Sequence, residues 1–331
     1  MKRFSLLIFT TLTISLSLYG QVQVTGLRTE HLSDPMGLGE RNPMLSWIIE
    51  VESPLQRGVV QTAYEVIVKR GKNMIWKTGK VESSESAGIL YKGAPLHSNT
   101  QYQWQVRVWD NNGKVSAWSK PVSFHTGLFE TSAWLAKWIE PIQSDDRAAY
   151  FRREFNLSKQ VSEATLFITT HGIYASSING SKVSEDLLTP GWTSYHKRLQ
   201  YQSYDITSKL QKGMNAIGVI VAKGWYMSEI HNHRYGDNYG LLAQIMVRYK
   251  DGTQEIIKTD NSWRTSTAEV SYHHLYHGET IDLTKQQPGW DNIRFNDSRW
   301  DTVRIAEETG LNNLTASVSP AVRVIKTFVP K

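Results

Sequence analysis

The sequence predicts an all-β protein built from two β-sandwich domains in tandem. Runs in which apolar and polar residues alternate, such as 63–68, 102–109 and 241–249, recur along the chain and are typical of half-buried strands. Turn signals separate such runs, among them Asn179-Gly180 and Asp251-Gly252, and no long amphipathic helical pattern is present. With 331 residues, the chain is long enough for two or three domains.

The pattern of strands and turns in residues 22–127 predicts the first sandwich. A strand around Trp47 and the alternating run 102–109 are followed by a hairpin turn at 111–113. This order resembles a fibronectin type III module, and the resemblance implies that Tyr102 forms a tyrosine corner, with its hydroxyl bonded to nearby backbone. We interpret the domain as a rigid spacer. A surface for a sugar or a partner is the alternative, because a fold does not imply a function.

Residues 150–308 predict the second, larger sandwich, for which short alternating strands favour an antiparallel two-sheet jelly roll. A linker at 128–149 precedes it, and a second linker at 309–331 follows. In the first linker, Trp134 and Trp138 lie four residues apart, as on one face of a helical turn, or they begin a strand. In either case we expect them to pack between the domains.

One turn and one strand end in the second sandwich together carry three aromatic residues. Trp192 follows a Pro-Gly turn, and Trp225 and Tyr226 end an apolar strand at Gly224. Rings at the rim of a sandwich offer flat apolar faces that can stack against sugars, whereas rings inside it fill the core. From the residues alone, both interpretations stay open.

The order ING, LTPGWTSYxxRxxYQxYDIT and GxNAIGVxxxxGWY, from Ile178 to Tyr226, resembles the N-terminal β-sandwich domain of bacterial α-L-rhamnosidases of glycoside hydrolase family 78. The likeness continues through HGETID at 277–282 and PGWD at 288–291. It also covers PAVRVIKTFVP at 320–330, which resembles the family's linker into the next domain. The resemblance implies a catalytic helical barrel further downstream, which this chain lacks.

The resemblance implies a secreted enzyme that removes terminal α-L-rhamnose, of which this chain is the truncated, non-catalytic N-terminal part. A free-standing carbohydrate-binding protein is the alternative. As part of the enzyme, the chain would have two partners, a rhamnose-containing carbohydrate and the missing catalytic domain. The residues expected to contact sugar are Asp186, Trp192, Trp225, Tyr226 and Arg234. Because related sandwich domains include a type that holds rhamnose through Ca²⁺, the acidic pair Glu185 and Asp186 is a candidate calcium site.

Other catalytic chemistry finds little support in the sequence. Glycoside hydrolysis normally uses two carboxylates, but nothing in the sequence shows that any two of the loop carboxylates face one cleft, so no catalytic residue is assigned; the candidates are Glu185, Asp186, Asp237, Glu279 and Asp282. A zinc site would need three or four converging ligands, and the histidines form only local groups: His231 with His233, and His273 with His274 and His277. No GxSxG motif of a serine hydrolase is present.

Residues 1–20 resemble a signal peptide, with Lys2 and Arg3 before an apolar stretch and Gly20 before the expected cleavage point. We therefore expect export to the periplasm or beyond, and a mature chain that starts near Gln21 in mass spectrometry. No membrane contact is expected after cleavage. The net charge of +6 includes no run of more than two Lys or Arg residues, which argues against nucleic acid. Without cysteine, the chain has no disulfide or thiolate chemistry.

Overall fold

The computed structural model of the chain describes residues 22–51, 57–142, 147–228, 234–307 and 310–329. The predicted signal peptide and the pair His231 and His233 lie outside these ranges. The chain divides into two compact units. The first comprises Met1–His31, Met44–Gly93 and Gln103–Val122, and the second comprises Leu32–Pro43, Ala94–Tyr102 and Ser123–Lys331. As the sequence predicts, the fold is all-β, with antiparallel sheets in tandem sandwiches.

The first eight strands are β1 (Val22–Thr29), β2 (Met44–Val51), β3 (Gln61–Arg70), β4 (Asn73–Lys77), β5 (Val81–Glu82), β6 (Ile89–Leu90), β7 (Gln101–Asp110) and β8 (Val122–His125). They form a three-stranded sheet, β1-β2-β6, and a five-stranded sheet, β4-β3-β7-β8 with β5 beside β3. Alternate residues of β7 are buried, which confirms the predicted half-buried strand.

Two aromatic residues of the first sandwich are fixed by hydrogen bonds. The Trp47 indole is buried and donates to Gln61 Oε1 at 3.0 Å. The backbone N–H of His97 donates to the hydroxyl of Tyr102 at 2.8 Å, which confirms the predicted tyrosine corner. Buried aromatic residues with satisfied polar groups hold such a sandwich together without disulfides.

The remaining strands belong to the second unit: β9 (Ile139–Glu140), β10 (Ala149–Leu157), β11 (Val161–His171), β12 (Ile173–Ile178), β13 (Ser181–Lys182), β14 (Leu199–Asp205), β15 (Gly213–Ala222), β16 (Gly240–Tyr249), β17 (Gln254–Lys258), β18 (Arg264–Thr267), β19 (Val270–His274), β20 (Gly278–Ile281), β21 (Asp301–Thr302), β22 (Arg304–Ile305) and β23 (Leu314–Ala316). Short 3-10 helices occupy Thr131–Ala133, Thr207–Lys209 and Leu283–Lys285. The predicted Asn179-Gly180 turn joins β12 to β13, and both of its residues have positive φ, as a two-residue hairpin requires.

Two large sheets enclose the main core of the second unit. One has the order β13-β12-β15-β10-β18-β21, and the other has the order β22-β9-β16-β11-β14-β23, with β17 beside β16. Phe151 and Val219 from the first sheet meet Leu166 and Ile245 from the second in one cluster. Phe167, the residue between Leu166 and Ile168, points the other way into a separate aromatic cluster, because side chains alternate along a strand.

Arg152 on β10 is a buried cation that fastens the segment 290–297 to the sheet. Its guanidinium donates to the backbone oxygens of Trp290 at 2.8 Å and Asn292 at 2.9 Å. It also forms ion pairs with Glu154, at 2.8 Å, and with Asp297. These bonds explain how an arginine with 1% exposure is tolerated, since a buried charge must be paired and hydrogen-bonded.

Two local expectations are wrong. The helical alternative for Trp134 and Trp138 is wrong, whereas the strand alternative fits Trp138, which directly precedes β9; Trp134 follows the 3-10 helix Thr131–Ala133, and both rings are buried in the second unit's own aromatic cluster. Gly224 to Tyr226 do not end a strand, because Gly224, with φ +53°, starts the one-turn helix α1 (Gly224–Met227) after β15. Within the described ranges, no helix is long and apolar enough to cross a membrane.

Candidate functional site

The three rings that the sequence singles out in the second unit lie together at the ends of its strands. Trp192 is in the loop before β14, and Trp225 and Tyr226 are on α1. The rings of Trp192 and Trp225 are nearly parallel, with an interplanar angle of 6° and centroids 6.1 Å apart. Trp192 is 53% exposed, and Trp225 is half-buried against the aromatic cluster. We call Trp192, Trp225 and Tyr226 the ring surface.

Tyr226 is the outer member of a stack of three rings. Its ring lies on the His171 imidazole, with centroids 4.4 Å apart and an interplanar angle of 4°. On its other face, His171 lies on the buried indole of Trp138 at 4.1 Å. Tyr195 packs edge-on against Tyr226 at 5.4 Å, a favourable arrangement for aromatic pairs. The ring surface therefore rests on a rigid aromatic base.

Backbone contacts fix the loop 234–240 against the ring surface. The N–H groups of Tyr235 and Gly236 donate to the backbone oxygen of Tyr226 at 3.0 and 3.3 Å. A Cβ atom at Gly236 would lie 2.5 Å from the Tyr226 ring, so only glycine allows this close approach. Arg234 ion-pairs with Asp237 at 2.8 Å and keeps part of its side chain exposed. The loop thus brings one cation and one carboxylate to the same region.

The loop that carries Trp192 is tied down in a similar way. The hydroxyl of Tyr195 donates to the backbone oxygen of Gly191 at 2.8 Å. The side-chain amide of Gln202 donates to the backbone oxygen of Pro190 at 3.1 Å. Because the two residues before Trp192 are held by buried groups, its exposed indole has a defined position rather than that of a free loop tip.

Burial lowers the pKa of His171 to about 4, because charging an imidazole away from water is unfavourable. In the unfolded chain a histidine takes up its proton near pH 6.5. The stability that neutral His171 contributes is therefore complete above about pH 6.5 and is lost as the pH falls towards 4. Since part of the ring stays accessible, we expect a loss of roughly 1–3 kcal/mol over this range.

Substituting His171→Phe should reduce the loss of stability at low pH, because phenylalanine keeps a flat ring between Trp138 and Tyr226 but cannot be protonated. The test is the midpoint of urea unfolding of the wild type and the variant at pH 7 and pH 4.5. We expect the variant to lose less stability between the two pH values. Equal losses in both proteins would show that His171 does not titrate in the way its burial implies.

The two acidic residues of the predicted calcium site have other partners. Asp186 forms an ion pair with Arg323, whose Nε lies 2.6 Å from Oδ1, and its side chain is 7% exposed. It lines a small hollow with Tyr174 and Tyr204, and the rings of the ring surface are not part of that lining. Glu185 pairs with Lys182 at 3.6 Å. Among the described residues, no group of three or more His, Asp or Glu side chains could hold a metal ion.

The other groups named from the sequence have separate structural surroundings. His273 is buried between the backbone N–H of Lys223 and the hydroxyl of Tyr239, each at 3.1 Å from a ring nitrogen. Asp282 accepts hydrogen bonds from Thr284, which lower its pKa, and it caps a 3-10 helix. Glu279 is exposed on β20. The candidate carboxylates of the sequence analysis therefore have different neighbours and different hydrogen-bond partners.

Sequence reasoning missed three residues that support the ring surface: Trp138, His171 and Tyr195. Trp138 was predicted to be buried, but between the domains. Tyr195 belongs to the TSY motif next to Trp192, so its position beside that ring was a usable signal. His171 is the last residue of β11, and nothing local indicates that two rings enclose it.

Comparison with known protein families identifies both parts of the chain. A sequence profile described as "Alpha-L-rhamnosidase N-terminal domain" matches residues 159–326. A second, described as "Rha78A-like, N-terminal immunoglobulin domain", matches residues 24–130. The region that resembles fibronectin type III in its strand order is thus matched as an immunoglobulin domain, and both kinds of domain are two-sheet sandwiches.

Relatives of known structure or curated sequence extend over nearly the whole chain. An alpha-L-rhamnosidase of Formosa agariphila is 33% identical over 340 residues, which cover 90% of this chain and 35% of that protein. The structure of alpha-L-rhamnosidase from Dictyoglumus thermophilum has a TM-score of 0.83 and 33% identity, and covers 94% of this chain and 37% of its own. The Streptomyces avermitilis alpha-L-rhamnosidase complexed with L-rhamnose has a TM-score of 0.83 and 25% identity, with coverages of 92% and 47%.

The present chain spans about a third of the length of the Formosa and Dictyoglumus relatives. The match at 159–326 alone takes in half of its residues. On these grounds the chain belongs to the N-terminal region of the alpha-L-rhamnosidases of glycoside hydrolase family 78, with an immunoglobulin-like domain followed by the alpha-L-rhamnosidase N-terminal domain.

Proposed function

We propose that this chain is the non-catalytic, carbohydrate-contacting part of an exported α-L-rhamnosidase. In this proposal the ring surface holds a rhamnose unit of the substrate, and a catalytic domain elsewhere in the complete enzyme removes it by hydrolysis. The observation that carries the proposal is the nearly parallel pair of Trp192 and Trp225, of which Trp192 is 53% exposed at a fixed position. A large apolar ring held in solvent has no role in the core and is well suited to binding.

The chemistry of the ring surface fits a deoxysugar. Indole faces offer apolar area to the C–H groups of a pyranose, and the 6-methyl group of rhamnose adds another apolar edge. Arg234 and Asp237 lie on the adjoining loop and supply a donor and an acceptor for hydroxyl groups. The relative from Streptomyces avermitilis, whose structure is titled as a complex with L-rhamnose, supports this choice of sugar. Affinity is expected to be weak, because one monosaccharide buries little area.

Calcium is not part of this proposal. The carboxylate of Asp186 is already paired with Arg323, and Glu185 is paired with Lys182. A calcium ion needs six to eight oxygen ligands, and the two carboxylates of this acidic pair supply too few of them. Titrations with and without Ca²⁺ therefore serve as a control, and we expect equal rhamnose affinity in both.

Substituting Trp192→Ala is expected to weaken binding of L-rhamnose about tenfold while costing less than about 1 kcal/mol of stability, since an exposed ring contributes little to the core. Isothermal titration calorimetry measures the first quantity and urea unfolding measures the second. Trp118→Ala is the matched control, because that half-buried tryptophan belongs to the first unit. A parent protein that binds no rhamnose, or a variant that melts early, would contradict the assignment.

The chain by itself is expected not to hydrolyse an aryl α-L-rhamnoside, because glycosidases require a positioned pair of carboxyl groups. Asp186, Asp237 and Asp282 are each engaged in local ion pairs or hydrogen bonds. The assay measures release of the aryl group by purified residues 21–331. Turnover that disappears after a single carboxylate substitution would place catalysis in this region and overturn the proposal.

A further inference from the structure

A second groove in the second unit has no role in the function proposed above. It has a volume of about 550 Å³ and lies away from the ring surface. Its polar lining includes Asp34, Gln101, His125, Glu163, Asp205 and Thr207. All of these residues belong to the second compact unit, which also takes in Gln101 at the start of β7 and His125 at the end of β8. Three carboxylates and one imidazole in one groove call for an explanation.

His125 is the unusual member of this lining. Its side chain is buried, with 7% exposure, and neither ring nitrogen has a hydrogen-bond partner among the residues that the structure describes. A buried polar group without a partner costs about 1–3 kcal/mol. Its backbone is fixed, because its N–H donates to Pro35 O at 2.9 Å and its carbonyl accepts from Leu38 N–H at 2.8 Å. The imidazole is therefore held at the groove with its hydrogen-bonding capacity unused.

Glu163 faces His125 at a distance slightly longer than a hydrogen bond. The distance from His125 Nε2 to Glu163 Oε1 is 3.6 Å, too long for a hydrogen bond between them. Nε2 is covered in this structure, so a ligand hydroxyl group would enter as the 42% exposed Glu163 side chain shifts outward; it would then donate to the carboxylate and accept from the ring N–H. The other carboxylate oxygen of Glu163 is 3.5 Å from Arg248 Nε, which leaves Oε1 directed at the groove.

The strand geometry and charge state of Glu163 agree with a binding role. The pairing of β11 with β16 shifts register between Val161 and Glu163, and such bulges re-aim side chains near functional sites. The neighbouring His125 imidazole lowers the pKa of Glu163, and Arg248 lowers it further, against the effect of burial. At neutral pH the residue is thus an ionised acceptor.

Two further carboxylates complete an acceptor-rich lining. Asp34 accepts the N–H of Ser123 through Oδ1, and Asp205 accepts the N–H of Thr207 through Oδ1, both at 2.9 Å. Each side chain is therefore oriented while its second oxygen remains an acceptor. Negative charge disfavours an anionic ligand, and no group of three or more metal-binding side chains occurs in the described part of the chain. A neutral ligand with several hydroxyl groups satisfies these acceptors best.

We propose that this groove is a second binding site for a neutral polyhydroxylated ligand, such as a sugar unit, whose hydroxyl group bridges His125 Nε2 and Glu163 Oε1. This site is separate from the ring surface and does not depend on it. A carbohydrate chain could then be held at two points on the same unit. Two weak sites on one ligand give a stronger combined affinity when the ligand spans both.

The test is NMR of the full chain labelled with ¹⁵N-histidine, with the His125 ring signals assigned by their loss in His125→Gln. The probes are L-rhamnose, the acyclic polyol D-glucitol and Zn²⁺ alone. We expect saturable shifts of the His125 signals with L-rhamnose or D-glucitol in the millimolar range. The absence of any shift with either polyol overturns the proposal. A shift with Zn²⁺ alone also overturns it, in favour of a metal site.

Two variants separate this site from the ring surface. Glu163→Gln removes a charged acceptor and is expected to weaken the His125 response about tenfold. The matched control, Glu279→Gln on exposed β20, should leave it unchanged. Trp192→Ala should also leave the His125 response unchanged even if it abolishes binding at the ring surface. A Glu163→Gln protein with affinity within about twofold of wild type, or a Trp192→Ala protein that loses the response, would contradict the proposed site.

Discussion

Replacing Arg152 with methionine is expected to destabilise the second unit by about 3–5 kcal/mol, because it removes one partner from a buried ion-pair network. The variant would leave the carboxylate of Asp297 and two backbone oxygens of the segment 290–297 without their Arg152 donor, whereas Glu154 would keep the N–H of Arg294. Methionine fills much of the volume, so the loss measures the bonds rather than a cavity. The exchange rates of the β10 backbone amides with deuterium measure this loss, because β10 lies in the second unit and carries the substituted residue.

Arg264→Met is the matched control for this experiment. Arg264 lies directly opposite Arg152 in the register of β10 and β18, but it is exposed. Surface substitutions of this kind usually change stability by less than about 0.5 kcal/mol. If Arg152→Met proves as mild as the control, the segment 290–297 is held by its rings instead, through Trp290 on Tyr150 at 4.2 Å.

Substituting Trp138→Ala is expected to cost about 3–5 kcal/mol, the usual loss for truncating a buried tryptophan. Trp138 is 1% exposed and forms the inner face of the stack with His171 and Tyr226. Its removal should also loosen the ring surface, so we expect rhamnose binding to weaken even where the protein stays folded. Urea unfolding gives the stability, and calorimetry at low temperature gives the binding.

Trp138→Phe distinguishes the stack from the indole nitrogen. Among the described residues, Trp138 Nε1 is a buried donor with no hydrogen-bond partner. Removing this N–H therefore removes the free-energy cost of burying an unsatisfied donor. Phenylalanine keeps an aromatic face against His171, and the change is expected to cost less than about 1.5 kcal/mol. A phenylalanine variant as unstable as the alanine variant would mean that a smaller aromatic ring cannot replace the indole, and that stacking on His171 does not decide the contribution of this position.

The sequence predicts those features that depend on neighbours along the chain. Alternation predicts β7, and the φ > 0 preferences of Asn and Gly predict the β12–β13 turn. The aromatic turn at Trp192 was recognised as a candidate contact, although its exposure was left open. Its role in binding sugar remains a prediction, as do the roles of Trp225, Tyr226 and Arg234.

Features that depend on residues far apart in the chain could not be predicted in this way. Asp186 was expected near the rings, but its partner is Arg323, which no local pattern connects with it. Arg152 and Asp297 meet only because β10 and the segment 290–297 fold together. The four-residue spacing of Trp134 and Trp138 was misleading, because spacing predicts a shared face only when the backbone is helical.

The pairing of β10 and β11 with strands much later in the chain has a consequence for how quickly the ring surface appears during folding. Ala149 pairs with Val221 and Thr267, and Glu163 pairs with Arg248, so the central ladders close only after most of the second unit has been synthesised. Proteins dominated by such distant contacts fold in milliseconds to seconds rather than microseconds. The loop that carries Trp192 and the helix that carries Trp225 both lie between Glu163 and Arg248 in the chain, so their two indoles should come together late, in the same kinetic phase as the sheets.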